Sequence, residues 1–198
     1  MSELIFLAFV AAAVVDWIAV AQGRQQLEWI AKPAALALLL LWAALGAAPS
    51  WALIAALAFS LLGDVYLMLP ANLFVAGLAA FFVGHIAYID AFHAAFTWRL
   101  IWTAVVLGVS APVGLRIVGA APGAMRGAVT AYMLVIGFMT GSAIASGMTS
   151  AVIGALLFML SDSLIAWNRF VAPFASARLA IIVTYHVGQL LLVYALRG

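Results

Sequence analysis

The 198-residue chain contains no cysteine, which excludes disulfides and thiolate metal sites. Charge is almost as scarce. Eight Lys/Arg and six Asp/Glu make up only 7% of the residues, against about 25% in soluble domains. Apolar side chains take their place: 69% of residues are hydrophobic and the mean hydropathy is +1.28. Such a balance excludes a disordered or collagen-like chain and a nucleic-acid-binding surface. The isoelectric point near 9.3 reflects a net charge of only +2, too little for a basic docking face. The connectors between apolar runs are too short for a soluble domain, so a functional site has to lie among membrane-spanning segments.

A spanning helix takes about 20 mostly apolar residues. Charges and Pro/Gly/Ser punctuation divide the chain into eight such segments, at 3–21, 33–47, 50–69, 73–95, 99–118, 126–146, 149–169 and 178–197. The runs are continuous rather than alternating, which favours helices over a barrel. The expected fold class is therefore all-α: a polytopic membrane bundle of eight transmembrane helices forming a single domain over 1–198. One connector is expected at Pro70-Ala71-Asn72. Another runs from Gln22 to Lys32, with Pro33 as the first residue of the second helix and Lys32 as its N-cap. A cation there faces the positive end of the helix dipole and calls for a carboxylate or an anionic ligand; Asp16 and Asp64 are the candidate partners. Ala19-Val20-Ala21 resembles a signal-cleavage site. However, Met1-Ser2-Glu3 lacks basic residues and Asp16 interrupts the apolar run, so the first segment is read as a helix.

Orientation follows from the Lys/Arg count on each side. Arg24, Lys32, Arg116, Arg126, Arg169 and Arg178 follow odd-numbered segments, whereas Arg99 and Arg197 lie on the other side. Six against two places the first group in the cytoplasm and both termini outside. The absence of a targeting extension suggests a bacterial inner membrane. A weak 4+4 parallel repeat is also visible. Gly63-Asp64 in the third segment matches Ser161-Asp162 in the seventh, and the next segments carry His85 and His186, 21 and 24 residues after the respective acids.

Ionisable groups inside a bilayer cost roughly 2.5–3.5 kcal/mol each, so each needs a reason. At a rise of about 1.5 Å per residue, Asp64 and Asp16 lie about 7 Å from the cytoplasmic ends of their segments, Asp162 and His186 about 11 Å, Gln189 about 16 Å and His85 about 18 Å. Lys32 starts on the same side. Polar groups from six helices thus share one half of the membrane. Faces agree with depths: Ser60 with Asp64, His85 with Tyr88, and Tyr185 with Gln189 share helix faces, and Arg169 aligns with Asp162. Gly63, Gly84 and Gly188 each precede a residue of this set and allow close backbone approach. Asp64, Asp162 and His85 are the candidate catalytic groups. Tyr88, Tyr185 and Gln189 either line the site or bond helix to helix, and His186 either joins the site or bridges helices.

Two intramembrane aspartates also bring to mind an aspartyl protease, but Leu61-Leu62-Gly63-Asp64 lacks the first glycine of that motif and Asp162 follows Ser161 rather than Tyr. In order and spacing, the chain resembles the YhhN-like family of membrane lysoplasmalogenases. The resemblance rests on Lys32-Pro33, Phe59-Ser60-Leu61-Leu62-Gly63-Asp64, Gly84-His85-Ile86-Ala87-Tyr88, Ser161-Asp162-Ser163-Leu164-Ile165-Ala166 with Phe170, and Tyr185-x-x-x-Gln189. It implies hydrolysis of the vinyl ether bond of a lysophospholipid substrate, giving a fatty aldehyde and a glycerophospho-alcohol, with no cofactor or metal. One aspartate would be the general acid and the other its electrostatic partner, with His85 placing or deprotonating the water. Tyr88, Tyr185 and Gln189 would hold the glycerol, and Lys32 and Arg169 the phosphate. The competing expectation is a proton- or ion-coupled transporter using the same buried Asp and His groups. Oligomeric state is not encoded in any recognisable pattern.

Overall fold

The computed structural model describes residues 2–69 and 73–197; the connector expected at Pro70-Ala71-Asn72 lies outside the described residues. Among the described residues are eight helices: α1 (Ser2–Ala21), α2 (Gln25–Ala44), α3 (Trp51–Met68), α4 (Phe74–Ala91), α5 (Phe96–Ala120), α6 (Gly123–Ala145), α7 (Thr149–Phe170) and α8 (Ala177–Leu196). All eight are long and apolar enough to cross a membrane. The protein is a multi-pass integral membrane bundle.

Helix α2 departs from expectation. It starts at Gln25, so Lys32 is not an N-cap and Pro33 lies inside the helix. Gly23, at φ +66°, closes α1 by letting Arg24 N–H reach the Ala19 carbonyl, and α2 then starts at once. Gln25 to Ala31 are polar enough to suggest a loop, yet all tolerate a helix, and Glu28 in the first turn suits its dipole. Pro33 removes one N–H from the ladder, a loss that membrane helices tolerate. Extending α2 in this way carries Lys32 two turns into the bundle.

Each odd helix forms an antiparallel hairpin with the next even one, and these four hairpins are the most extensive contacts. Helix α2 then packs on α3, α4 on α6, α6 on α7, and α8 on both α1 and α2, which closes a ring. Helix α5 sits at the edge against α6 and α7 and buries only Thr103, Val106, Gly114 and Ile117. Gly137 and Gly141 of α6 serve this contact, facing Leu107 and Thr103 of α5. The two arginines of the predicted outer side act as caps. Arg99 donates to the Ala94 and Ile89 carbonyls at 2.9 and 2.8 Å beyond and within the end of α4, and Arg197 donates to Trp42 O at 2.8 Å near the end of α2.

The two halves share one close crossing. A Cβ on Gly84 would meet the Ala56 carbonyl at 3.2 Å, and one on Gly188 would meet the Gly154 carbonyl at 3.0 Å. Ala56 and Gly154 stand at the same distance before Asp64 and Asp162. The residue after each glycine is His85 in α4 and Gln189 in α8. Gln189, not His186, therefore occupies the place of His85, and the Asp–His pairing of the sequence repeat is out of register by one helical turn. Because backbone atoms are the obstacle at Gly154 and Gly188, Gly154→Ala should push α7 from α8 and cost about 1–3 kcal/mol. A lowered thermal unfolding midpoint in detergent checks this; an unchanged midpoint would mean that the crossing relaxes freely.

Candidate active site

The polar side chains form two hydrogen-bonded groups. In the first, Lys32 Nζ lies 2.8 Å from Asp64 Oδ1, and the Tyr185 hydroxyl donates to Asp64 Oδ2 at 2.8 Å. Gln189 Nε2 donates to the Tyr185 oxygen at 3.3 Å, and the Tyr88 hydroxyl donates to Gln189 Oε1 at 2.5 Å. Four helices are joined in this line: α2, α3, α8 and α4. Both oxygens of Asp64 are engaged, and the residue is 1% exposed. Lys32 thus resolves its two candidate partners in favour of Asp64.

In the second group the Tyr132 hydroxyl donates to Asp162 Oδ2 at 2.5 Å. His85 Nε2 lies 3.0 Å from the same hydroxyl and 3.5 Å from Asp162 Oδ2. Each aspartate therefore takes one partner from the helix before it (Lys32, Tyr132) and one from the last helix of the opposite half (Tyr185, His85). Between the groups stands Phe158, wholly buried, with its ring edge-on to His85 at 4.9 Å and to Tyr185 at 5.3 Å. These contacts lock the rotamers of both groups from one side.

The second group borders an open space. A cavity of about 310 Å³ lies among α3 to α7, with walls that are almost wholly apolar. Phe74 and Phe170 line one end and Leu156 another part of the wall, while Asp162 and Tyr132 supply polar atoms. Arg169 stacks its guanidinium 4.1 Å from the centre of the ring of Phe74, a cavity-lining residue, and so borders the cavity. His186 turns away from the site: its Nδ1 accepts from Trp17 Nε1 at 3.1 Å, which places its ring proton on Nε2. Asp16 is buried on the same α1 side, and among the described residues its carboxylate has no hydrogen-bond partner. It does not pair with Lys32.

The structure brings Asp162 and His85 together. It places Asp64, Lys32, Tyr185, Gln189 and Tyr88 in the neighbouring group, and Arg169 at the border. The reading of the sequence missed Tyr132, which joins Asp162 to His85. Its signal was present, since Tyr132 lies about 9 Å into the apolar segment at 126–146, between the depths of Asp64 and Asp162. Among the described residues, no three His, Asp or Glu side chains converge as a metal-ligand group.

Fold and site define a polytopic helical membrane protein with a carboxylate in the wall of an apolar, intramembrane cavity. Residues 27–196 match the YhhN family, and the chain belongs to that family. It is 36% identical over 137 residues to a pig protein named lysoplasmalogenase TMEM86B, covering 69% of this chain and 59% of the pig protein. The human protein of that name matches to the same extent. The rat one is 32% identical over 175 residues, covering 85% of this chain and 74% of its own length. The pig and human matches therefore span less than two thirds of those proteins. No solved structure matches the chain.

Proposed function

We propose that this protein hydrolyses the vinyl ether bond of a lysoplasmalogen, with Asp162 as the general acid. The observation that carries this reading is the Asp162 carboxyl in the wall of a cavity otherwise suited to a hydrocarbon chain. Its relatives' name, lysoplasmalogenase, supports the substrate. A vinyl ether, R–CH=CH–O–R′, reacts when its outer alkene carbon takes a proton, leaving an oxocarbenium ion at the carbon bonded to oxygen. Water adds to that carbon and returns a proton to the carboxylate. The hemiacetal then breaks its C–O bond, releasing the aldehyde R–CH2–CHO and the alcohol HO–R′. One water is consumed.

Both protein contacts to Asp162 among the described residues fall on Oδ2, which leaves Oδ1 to carry the transferred proton. Tyr132 orients the carboxyl and stabilises its anion after transfer; His85 acts through Tyr132 as a positioning residue. Asp64, neutralised by Lys32, anchors the Tyr185–Gln189–Tyr88 line beside them. Arg169 at the cavity border binds the phosphate on the side we assign to the cytoplasm. The test is release of fatty aldehyde from a lysoplasmalogen by purified protein. No aldehyde from folded protein would remove the hydrolase reading and favour transport. Tyr132→Phe should keep the fold, because the ring still fills its place. It should also slow turnover by about 10- to 100-fold, the loss of one hydrogen bond to a charged group. An unchanged rate would deny Tyr132 its role.

A further inference from the structure

We infer that the seam between α5 and α7 is the cavity's entrance from the bilayer, and that the hydrocarbon chain of a single-chain lipid passes sideways through it. The inference rests on the hydrolase reading only for the identity of the lipid. Val113 of α5 and Leu156 and Leu160 of α7 line the cavity and are also 44%, 47% and 46% exposed. Leu156 and Leu160 lie about 21 and 15 Å from the Phe170 end of α7, at hydrocarbon depth rather than at the interface. An opening bordered by aliphatic side chains at that depth faces lipid tails. A chain reaching Asp162 along this route is never transferred through water, which would oppose its entry. The aldehyde product, itself apolar along its length, leaves the same way.

Helix α5 is built to yield at this seam. It packs at the edge of the bundle, and Pro112 has no N–H for the Gly108 carbonyl. Ser110, which also lines the cavity, bonds back to the Val106 carbonyl at 2.8 Å, a contact that bends helices. Gly114 follows two residues after the proline. The helix that forms one side of the opening thus carries a proline, a back-bonded serine and two glycines within two turns, where its ladder is weakest.

The test uses the full chain in phosphatidylcholine vesicles with a long-chain lysophospholipid that carries a diazirine at its chain end. Illumination should label peptides covering 110–117 and 156–163, and excess unlabelled lysophospholipid should suppress the label. Leu160→Trp, and independently Val113→Trp from the opposite side, should lower that labelling by about tenfold. Leu115→Trp, on an α5 residue 73% exposed and outside the cavity, should leave it unchanged. Label confined to the α3–α4 wall at Leu67 and Leu78, or seam label indifferent to both tryptophans, would overturn the inference. Seam labelling without aldehyde release would retain it and remove the hydrolase reading; aldehyde release with label confined to α3–α4 would do the reverse.

Discussion

Asp162→Asn should lower aldehyde release by about 10²- to 10⁴-fold, the usual worth of a positioned general acid, with little change in thermal stability. The reason is geometric. Asn keeps the shape of Asp and can still accept from Tyr132, so the cavity wall survives, but an amide has no proton to deliver to carbon. Asp64→Asn should behave differently. Asp64 is wholly engaged by Lys32 and Tyr185, so its loss should act first on stability and only through positioning on the rate. Rates at several substrate concentrations, with unfolding midpoints of the same preparations, separate the two. Full activity in Asp162→Asn would exclude it as the acid. A rate loss in Asp64→Asn as large as in Asp162→Asn, at unchanged stability, would move the acid to Asp64.

Lys32→Met should be strongly destabilising, by about 3–5 kcal/mol, because it leaves the Asp64 carboxylate buried without its counter-ion. The ammonium side chain is 14% exposed and the carboxylate 2%. Adding Asp64→Asn to the same chain should recover most of that loss, since it removes the orphaned charge while Tyr185 keeps an acceptor. A cycle of the two single variants and the double variant, followed by thermal unfolding in detergent, measures the coupling. If Lys32 bound substrate phosphate instead, Lys32→Met would keep its unfolding midpoint and raise KM alone. That outcome would support the phosphate role that the family resemblance implies for Lys32.

Arg169 and Lys32 look equivalent in the sequence, as two cations near the cytoplasmic ends of helices carrying acids. The fold separates them. Pro33 suggests a helix start, but α2 begins eight residues earlier, at Gln25, and draws Lys32 inward to Asp64. Arg169 stays in the last turn of α7, over Phe74. Proline is a helix-start signal in water because other positions lose a hydrogen bond; inside a membrane bundle that signal weakens.

The eight crossings and the shared depth of the acids, His85 and Gln189 were decided by the sequence alone. Both depend on one-dimensional facts: the length of apolar runs and the count of residues from their ends. Such facts say nothing of which helices are neighbours. Tertiary structure decided that Asp64 takes Lys32 and Tyr185 while Asp162 takes Tyr132 and His85. It also decided that Asp162 rather than Asp64 lines the cavity, and that Gln189 rather than His186 stands in the place of His85. Residues at equal depth on different helices are indistinguishable until packing brings two faces together. Here the close crossings at Gly84 and Gly188 select which faces meet.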